Sequence, residues 1–295
     1  MKVLLTGANG QLGRALLRSV PVDVELIATT RNELDLADPH ACRAAVQIHQ
    51  PDWVLNAGAY TAVDQAEEAA ELAEAVNAGA PRAFSEALCA SGGKLLQLST
   101  DFVFNGQQSH PYLPDQPRDP LGVYGISKGL GEQAVEEILG CGSDGRSTIL
   151  RTSWVYGPVC QNFLLTMLRL HRLKVETGEP LRVVADQVGC PTATSGLAAA
   201  CWAVIQYQVM GIQHWCDAGV TSWYDFAVAI GELAVAQGLI PQAADVHPIS
   251  TSDYPTKAQR PAYSLLDCTS TRESLRLRPE HWRNALQTVI SHVDA

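Results

Sequence analysis

The stretch "TGANGQLG", residues 6–13, sits between the apolar run "KVLLTG" (2–7) and the amphipathic segment "QLGRALLRSV" (11–20). The first run is apolar, carries a β-branched residue and stops at a glycine, so it reads as a buried strand; the second has the spacing of a helix. Glycines at 7, 10 and 13 give a GxxGxxG spacing between them. Such a turn lets the chain reverse tightly and brings backbone N–H groups to a pyrophosphate at the helix N-terminus. A glycine turn without a ligand is the alternative. Its place at the head of an alternating strand–helix chain favours a nucleotide.

Outward from that turn, strand-like and helical runs alternate. "VELIATT" (24–30), "PDWVLNAGA" (51–59), "KLLQLSTDFVF" (94–104) and "STILRTSWVYG" (147–157) read as strands, and 40–50, 70–92 and 124–139 as helices. Strands separated by helices predict an α/β protein with a Rossmann-like, doubly wound parallel sheet. Residues 1–157 form the expected dinucleotide-binding domain, and 158–295 mainly a smaller α/β substrate domain, with a return of the chain around 186–212. Beyond about residue 213 the prolines at 241, 248, 255, 261 and 279 predict an irregular lobe.

The second strand ends in "ATTRNELDLAD" (28–38). A fold that prefers NAD usually carries an acid at this point to hold the ribose hydroxyls. Here stand Thr29, Thr30 and Arg31, which suit a 2′-phosphate better than bare ribose. NADPH is therefore expected, with NADH open, and the plain alternative is a surface arginine. Asp35 and Leu36 follow where the adenine ring would pass.

"YGISK" (124–128) places Tyr124 one helical turn before Lys128. A phenol with a pKa of about 10 is a weak acid at neutral pH. A lysine at i+4 is close enough to lower that value, giving an acid for carbonyl reduction. An exposed helical pair is the plain reading of the motif alone. "QLSTDFVF" (97–104) adds Ser99 and Thr100 at a strand end, where the ligand crevice of a doubly wound sheet lies. A hydroxyl there can donate to a carbonyl oxygen that Tyr124 protonates, which makes Thr100, Tyr124 and Lys128 the candidate catalytic set.

Composition bounds the rest. Of 295 residues 46% are hydrophobic and 18% charged, as in a globular enzyme, and the formal charge of −10 argues against a nucleic-acid partner. The longest apolar run, "GLAAACWAVI" (196–205), is half of the roughly 20 residues a membrane span needs. No secretory signal is read in "MKVLLTGANG", and eight cysteines without a CxxC pair suit a reduced setting, so a cytoplasmic location is expected. His214 and Cys216 lack nearby partner ligands, so no metal site is expected.

"TGANGQLG", "NAGAYTAVDQAE" (56–67), "STDFVFNG" (99–106), "YGISKGLGE" (124–132), "LRTSWVYG" (150–157) and "DQVGCPT" (186–192) together resemble the extended short-chain dehydrogenase/reductase superfamily, and within it the dTDP-4-dehydrorhamnose reductase family. The resemblance runs to about residue 192 and continues more loosely to "RPAYSLLD" (260–267). It implies NAD(P)H-dependent reduction of the C4 ketone of a dTDP-sugar, dTDP-4-dehydro-L-rhamnose. By position it implies that Gly10, Gln11 and Leu12 line the pyrophosphate, with Gly7 and Gly13 in the same turn. Asp35 and Leu36 would meet adenine, and Ala59, Tyr60 and Thr61 would run beside the cofactor. Thr100 and Asp101 would touch the sugar and Trp154 would pack on it, unless that indole is simply core. Asn162 follows the loop where related enzymes hold the diphosphate. Arg260 either neutralises that diphosphate or stands at the surface beside Pro261.

Two positions depart from the family. Tyr263 in "RPAYS" replaces the usual asparagine. Arg14 and Ala15 stand where some members recruit a divalent ion to join subunits, which weakens a magnesium-bridged dimer; magnesium and a homodimer stay open. The competing readings are another sugar-nucleotide reductase or epimerase, and a catalytically silent nucleotide-binding subunit like the regulatory subunit of methionine adenosyltransferase. The intact Thr100, Tyr124 and Lys128 set argues for catalysis.

Overall fold

The computed structural model describes residues 1–142 and 144–293. Six parallel strands form the central sheet: β1 (Lys2–Thr6), β2 (Glu25–Thr29), β3 (Trp53–Asn56), β4 (Lys94–Thr100), β5 (Ser147–Thr152) and β6 (Gly211–Trp215). Their order is β2-β1-β3-β4-β5-β6, so the winding reverses beside β1. In register, Thr6 lies beside Thr29 and Asn56, and Thr100 beside Thr152. Strand ends that carry polar residues therefore line up along one edge of the sheet, at the switch point where such folds bind ligands.

The central strands are apolar along their whole length because both faces are covered. Val3, Leu5, Leu55, Leu96, Leu98 and Leu150 pack toward helix α1 (Gln11–Arg18) and the helix Thr194–Tyr207. Leu4, Val54, Leu95 and Ile149 pack on the other side, against α2 (Pro39–His49), α3 (Ala80–Ser91) and α4 (Val123–Leu139). The alternation of Val3 and Leu5 with Leu4 follows from the two-residue period of a strand. Ahead of α3 the chain makes one turn of π-helix, Ala75–Gly79. Pro81 has no N–H to return to the carbonyl of Asn77, four residues back, so the regular ladder cannot run through this point. Gly131 of α4 faces that carbonyl so closely that a Cβ there would sit 2.1 Å from it.

A second core gathers Tyr156, Leu164, Leu168, Val183, Phe226, Ile230, Leu286 and Ile290. It is built by α5 (Phe163–Thr177), then, after α6 (Thr194–Tyr207) has returned to pack on α1, by α7 (Trp223–Ala236) and α8 (Trp282–Ile290). Three two-stranded ladders frame it: Val155–Tyr156 with Thr192–Ala193, Val188–Gly189 with Thr221–Ser222, and Leu181–Val184 with Val246–Ile249.

The expectation of an irregular chain beyond residue 213 is corrected. β6, α7, a short helix Thr269–Leu275 and α8 all lie there. α7 opens on a capping box, Ser222 with Asp225, a signal present in "SWYD". Most of the prolines fall in connections; Pro248 lies in the ladder strand Val246–Ile249, which has a neighbour on one side alone. The single strand read over 147–157 also divides: Trp154 turns the chain with φ 47°, and 155–156 pair elsewhere. Among the described residues no helix is long and apolar enough to cross a membrane. Cys216 and Cys268 stand with sulfurs 3.5 Å apart, whereas His214 faces the Tyr112 carbonyl at 3.1 Å. No group of three or more His, Cys, Asp or Glu among the described residues is placed to hold a metal ion.

Candidate active site and cofactor cleft

The glycine turn has the geometry its spacing predicts. Gly7 has φ +68°, and a Cβ on it would lie 2.7 Å from the Cα of Gly58. A Cβ on Gly13 would lie 2.2 Å from the Gly7 carbonyl oxygen, so α1 can start this close to β1 only with glycine there. Gly10 caps α1 without any side-chain bond, so the first N–H groups of the helix have no side chain on them and suit an anion.

Above this turn lies a cleft of about 440 Å³, walled by Gly7, Gly10, Gln11, Leu12, Gly13, Arg31, Ala59, Thr61, Tyr124 and Lys128, with Ser99 and Cys160. A neighbouring recess of about 160 Å³ adds Asp35, Leu36 and Tyr60. A crowded glycine cradle, an uncapped helix start and an apolar recess beside Leu36 fit a dinucleotide. Asn77, buried in the π turn, holds the wall in place: its side chain accepts from Tyr60 N (2.9 Å) and donates to Tyr60 O and to Ser127 Oγ (both 3.0 Å).

Thr30 stands outside both cavities. Its N–H and hydroxyl both donate to Glu33, each at 2.8 Å. The strand end therefore has a carboxylate nearby after all, four residues past the last residue of β2. Arg31 lies at the rim of both cavities and has no carboxylate partner among the described residues.

Tyr124 and Lys128 share one wall of the cleft, in the first two turns of α4. Lys128 is 4% exposed and donates from Nζ to the Leu98 carbonyl at 2.6 Å, which docks α4 against β4. Burial pulls its pKa down to about 8, opposed by Glu132. Burial pushes the Tyr124 phenol up to about 12; the Thr100 hydroxyl draws it down and Asp101 adds to the rise. The expectation that Lys128 lowers the phenol is corrected: its ammonium turns to the strand carbonyl, and Thr100 is the group that favours the phenolate.

Thr100 Oγ1 donates to Asp101 Oδ1 at 3.1 Å and accepts from Phe102 N at 3.2 Å. Asp101 is 2% exposed, and burial raises its carboxyl to about 6 against the hydroxyls of Ser264 and Thr100. Its Oδ2 is buried without a hydrogen-bond partner. A buried carboxylate oxygen left open is costly in a folded chain and suits a ligand hydroxyl.

Three expected sugar-side contacts have other work in this structure. Asn162 is the N-cap of α5: its Oδ1 accepts from Leu165 N at 3.0 Å, and its amide donates to Gln11 Oε1 and the Gly157 carbonyl, both at 2.9 Å. Arg260 forms a two-point ion pair with Asp64, at 2.7 and 3.1 Å, so its charge is already matched. Trp154 stacks on Trp223 with centroids 3.5 Å apart and planes within 9°, so that face of the indole is covered.

The reading by spacing missed Glu132, Arg151, Asn77, Glu33 and Ser264. Two of them carried a signal. Arg151 is a charge inside the buried strand "STILRT", and Glu132 is an acid on a helix face that is otherwise buried; each demands a partner. They pair with each other at 2.7 Å.

A parallel sheet, a glycine cradle at its switch point and a tyrosine–lysine pair on the cleft wall define a nucleotide-dependent reductase of the short-chain dehydrogenase/reductase type. The family model described as RmlD substrate binding domain matches residues 1–295, and the chain belongs to that family. It is 36% identical over 302 residues to the dTDP-4-dehydrorhamnose reductase of Aggregatibacter actinomycetemcomitans, covering 99% of each chain. It is 40% identical over 289 residues to the spore coat polysaccharide biosynthesis protein SpsK of Bacillus subtilis (strain 168), covering 97% of this chain and 95% of that one. Among solved structures, the dTDP-4-dehydrorhamnose reductase of Bacillus anthracis in complex with NADP superposes with a TM-score of 0.89 at 32% identity over 99% of both chains. The chain is an NAD(P)H-dependent reductase.

Proposed function

We infer that the protein reduces the C4 ketone of dTDP-4-dehydro-L-rhamnose to give dTDP-L-rhamnose. The observation that carries this reading is the meeting, at one cleft, of the glycine cradle with Tyr124 and Lys128, the Thr100 hydroxyl lying behind the phenol. Gly7, Gly10, Gln11, Leu12 and Gly13 would hold the pyrophosphate, and Asp35, Leu36, Ala59, Tyr60 and Thr61 the adenosine side. The bound dinucleotide supplies the hydride. Tyr124, protonated throughout the neutral range, gives its proton to the ketone oxygen as that oxygen gains charge. The Thr100 hydroxyl, turning its proton from Asp101, stabilises the phenolate that remains. Lys128, on the same cleft wall with its ammonium bonded to the Leu98 carbonyl, would donate to the nicotinamide ribose. Asp101 Oδ2 accepts from a sugar hydroxyl. Residues 1–157 with α6 and β6 act as the cofactor half, and α5, α7 and α8 carry the sugar half. Arg31 favours NADPH over NADH by pairing with the 2′-phosphate.

The test is turnover. NAD(P)H should be consumed with dTDP-4-dehydro-L-rhamnose and not with UDP- or GDP-linked ketosugars. Equal turnover of all three would remove the thymidine nucleotide from the assignment.

A further inference from the structure

Glu132 lies one turn beyond Lys128 and two beyond Tyr124 on α4, and it is 1% exposed. Arg151, also 1% exposed, donates to both carboxylate oxygens, from Nε at 2.9 Å and Nη2 at 2.7 Å. Arg118 adds a bond at 3.1 Å, and the Ser99 hydroxyl donates to Oε1. Arg151 is fixed in turn by the Pro114 carbonyl at 3.1 Å and by the Phe104 ring, 5.0 Å from its centroid.

These partners come from four segments. Ser99 belongs to β4, directly before Thr100, and Arg151 to β5; Arg118 lies in the connection ahead of α4, and Glu132 on α4 itself. The same helix is held to β4 by Lys128 at Leu98. One carboxylate thus joins the helix that carries the acid to the strand that carries its hydroxyl partner. A buried ion pair often adds little stability over apolar packing, so its presence beside a reactive pair calls for another reason.

We propose that Glu132 is a positioning residue for the reduction: clamped by Arg151, Arg118 and Ser99, its negative charge offsets the buried Lys128 ammonium and sets Tyr124 and Lys128 against Thr100. The proposal rests on Lys128 acting at the cofactor site. The charged group that acts on Lys128 is Glu132, one turn on along the same helix, with Tyr124 one turn before it; Arg151 from β5 and Arg118 from the connection reach Glu132, and His214 from β6 lies against Arg151. Burial and the Arg151 charge hold His214 low, at about 3, so it is neutral. Burial opposes ionisation of Glu132, but Arg151, Ser99 and Arg118 together outweigh it and keep the carboxylate charged. Burial draws Lys128 down and Glu132 draws it back up, so the ammonium persists to about pH 8. Removing Glu132 should discharge Lys128 at lower pH. Removing Arg118 leaves Glu132 less neutralised, so the ammonium should persist to higher pH.

The experiment follows the pH dependence of NADPH binding, read by nucleotide fluorescence without turnover, together with that of kcat/KM. It compares wild type with Glu132→Gln, Arg118→Gln and Lys128→Met. Lys128→Met should lose the basic limb. Glu132→Gln should move it down by about one pH unit, an approximately tenfold loss of kcat/KM on the basic side, and Arg118→Gln should move it up. Opposite shifts are not expected of a purely structural clamp. If Lys128→Met loses the limb while the other two leave it in place or shift it the same way, Glu132 has no such role. If Lys128→Met keeps the limb, the assignment of Lys128 fails first and the proposal goes with it. Should Glu132→Gln not fold, the upward shift of Arg118→Gln decides alone.

Discussion

The cofactor side of the cleft and the sugar side are built in different ways. The cofactor side is mostly backbone: a glycine turn, an uncapped helix start, and strand ends placed by parallel register. Each part follows from a few adjacent residues. The sugar side is made of side chains drawn from distant segments, and there a residue's role depends on which partner reaches it first. Asn162 is taken by the start of α5, Arg260 by Asp64, and one face of Trp154 by Trp223. Local geometry makes a site legible; competition for partners hides it.

The largest expected effect tests the chemistry that both sides share. Tyr124→Phe keeps the ring and removes the proton. kcat should fall by roughly 10²-fold or more, with the dissociation constant for NADPH within about twofold of wild type. Near-normal turnover would show that another group supplies the proton.

Asp101→Asn sharpens the contrast on the sugar side. A carboxyl raised to about 6 in the folded chain binds more protons than in the unfolded one between about pH 4 and 6. The native state is then favoured at low pH, and that advantage is lost as pH rises through about 6. The amide should therefore raise stability at pH 7 by about 1–2 kcal/mol, and not at pH 4, while kcat/KM for the sugar falls about tenfold. Calorimetry at the two pH values with steady-state kinetics checks both halves. A drop in Tm at pH 7 would show that the charged form is at ease in its pocket.

At the cofactor side, Arg31→Ala should cut the ratio of kcat/KM for NADPH over NADH about tenfold, and high salt should shrink the wild-type ratio. Glu33→Gln, which removes a negative charge bound to Thr30, should raise it. A ratio indifferent to both changes would make Arg31 an ordinary surface residue.

The smallest effect distinguishes a cap from a ligand. Asn162→Ala should cost about 1 kcal/mol, a fall in Tm of about 2 °C, and leave KM for the dTDP-sugar within about twofold. A tenfold rise in KM with unchanged Tm would return Asn162 to the diphosphate.

Much of this was legible before any tertiary structure. "KVLLTG" followed by "TGANGQLG" predicts the first strand, turn and helix because a buried strand, a positive-φ glycine and an amphipathic helix are each determined over a few residues. The strand–helix alternation likewise predicts the parallel sheet, and "YGISK" the shared helix face. What tertiary structure alone decided is longer in range. β6 joins the main sheet although its five residues carry little pattern, because its place depends on β5, more than fifty residues earlier. Lys128 turns to the Leu98 carbonyl, not to the phenol, because α4 lies on β4. Glu132 meets Arg151 only when α4 and β5 are packed together. Periodicity and turn chemistry act over one element, whereas the charge state and partner of a buried group depend on everything that displaces water from it.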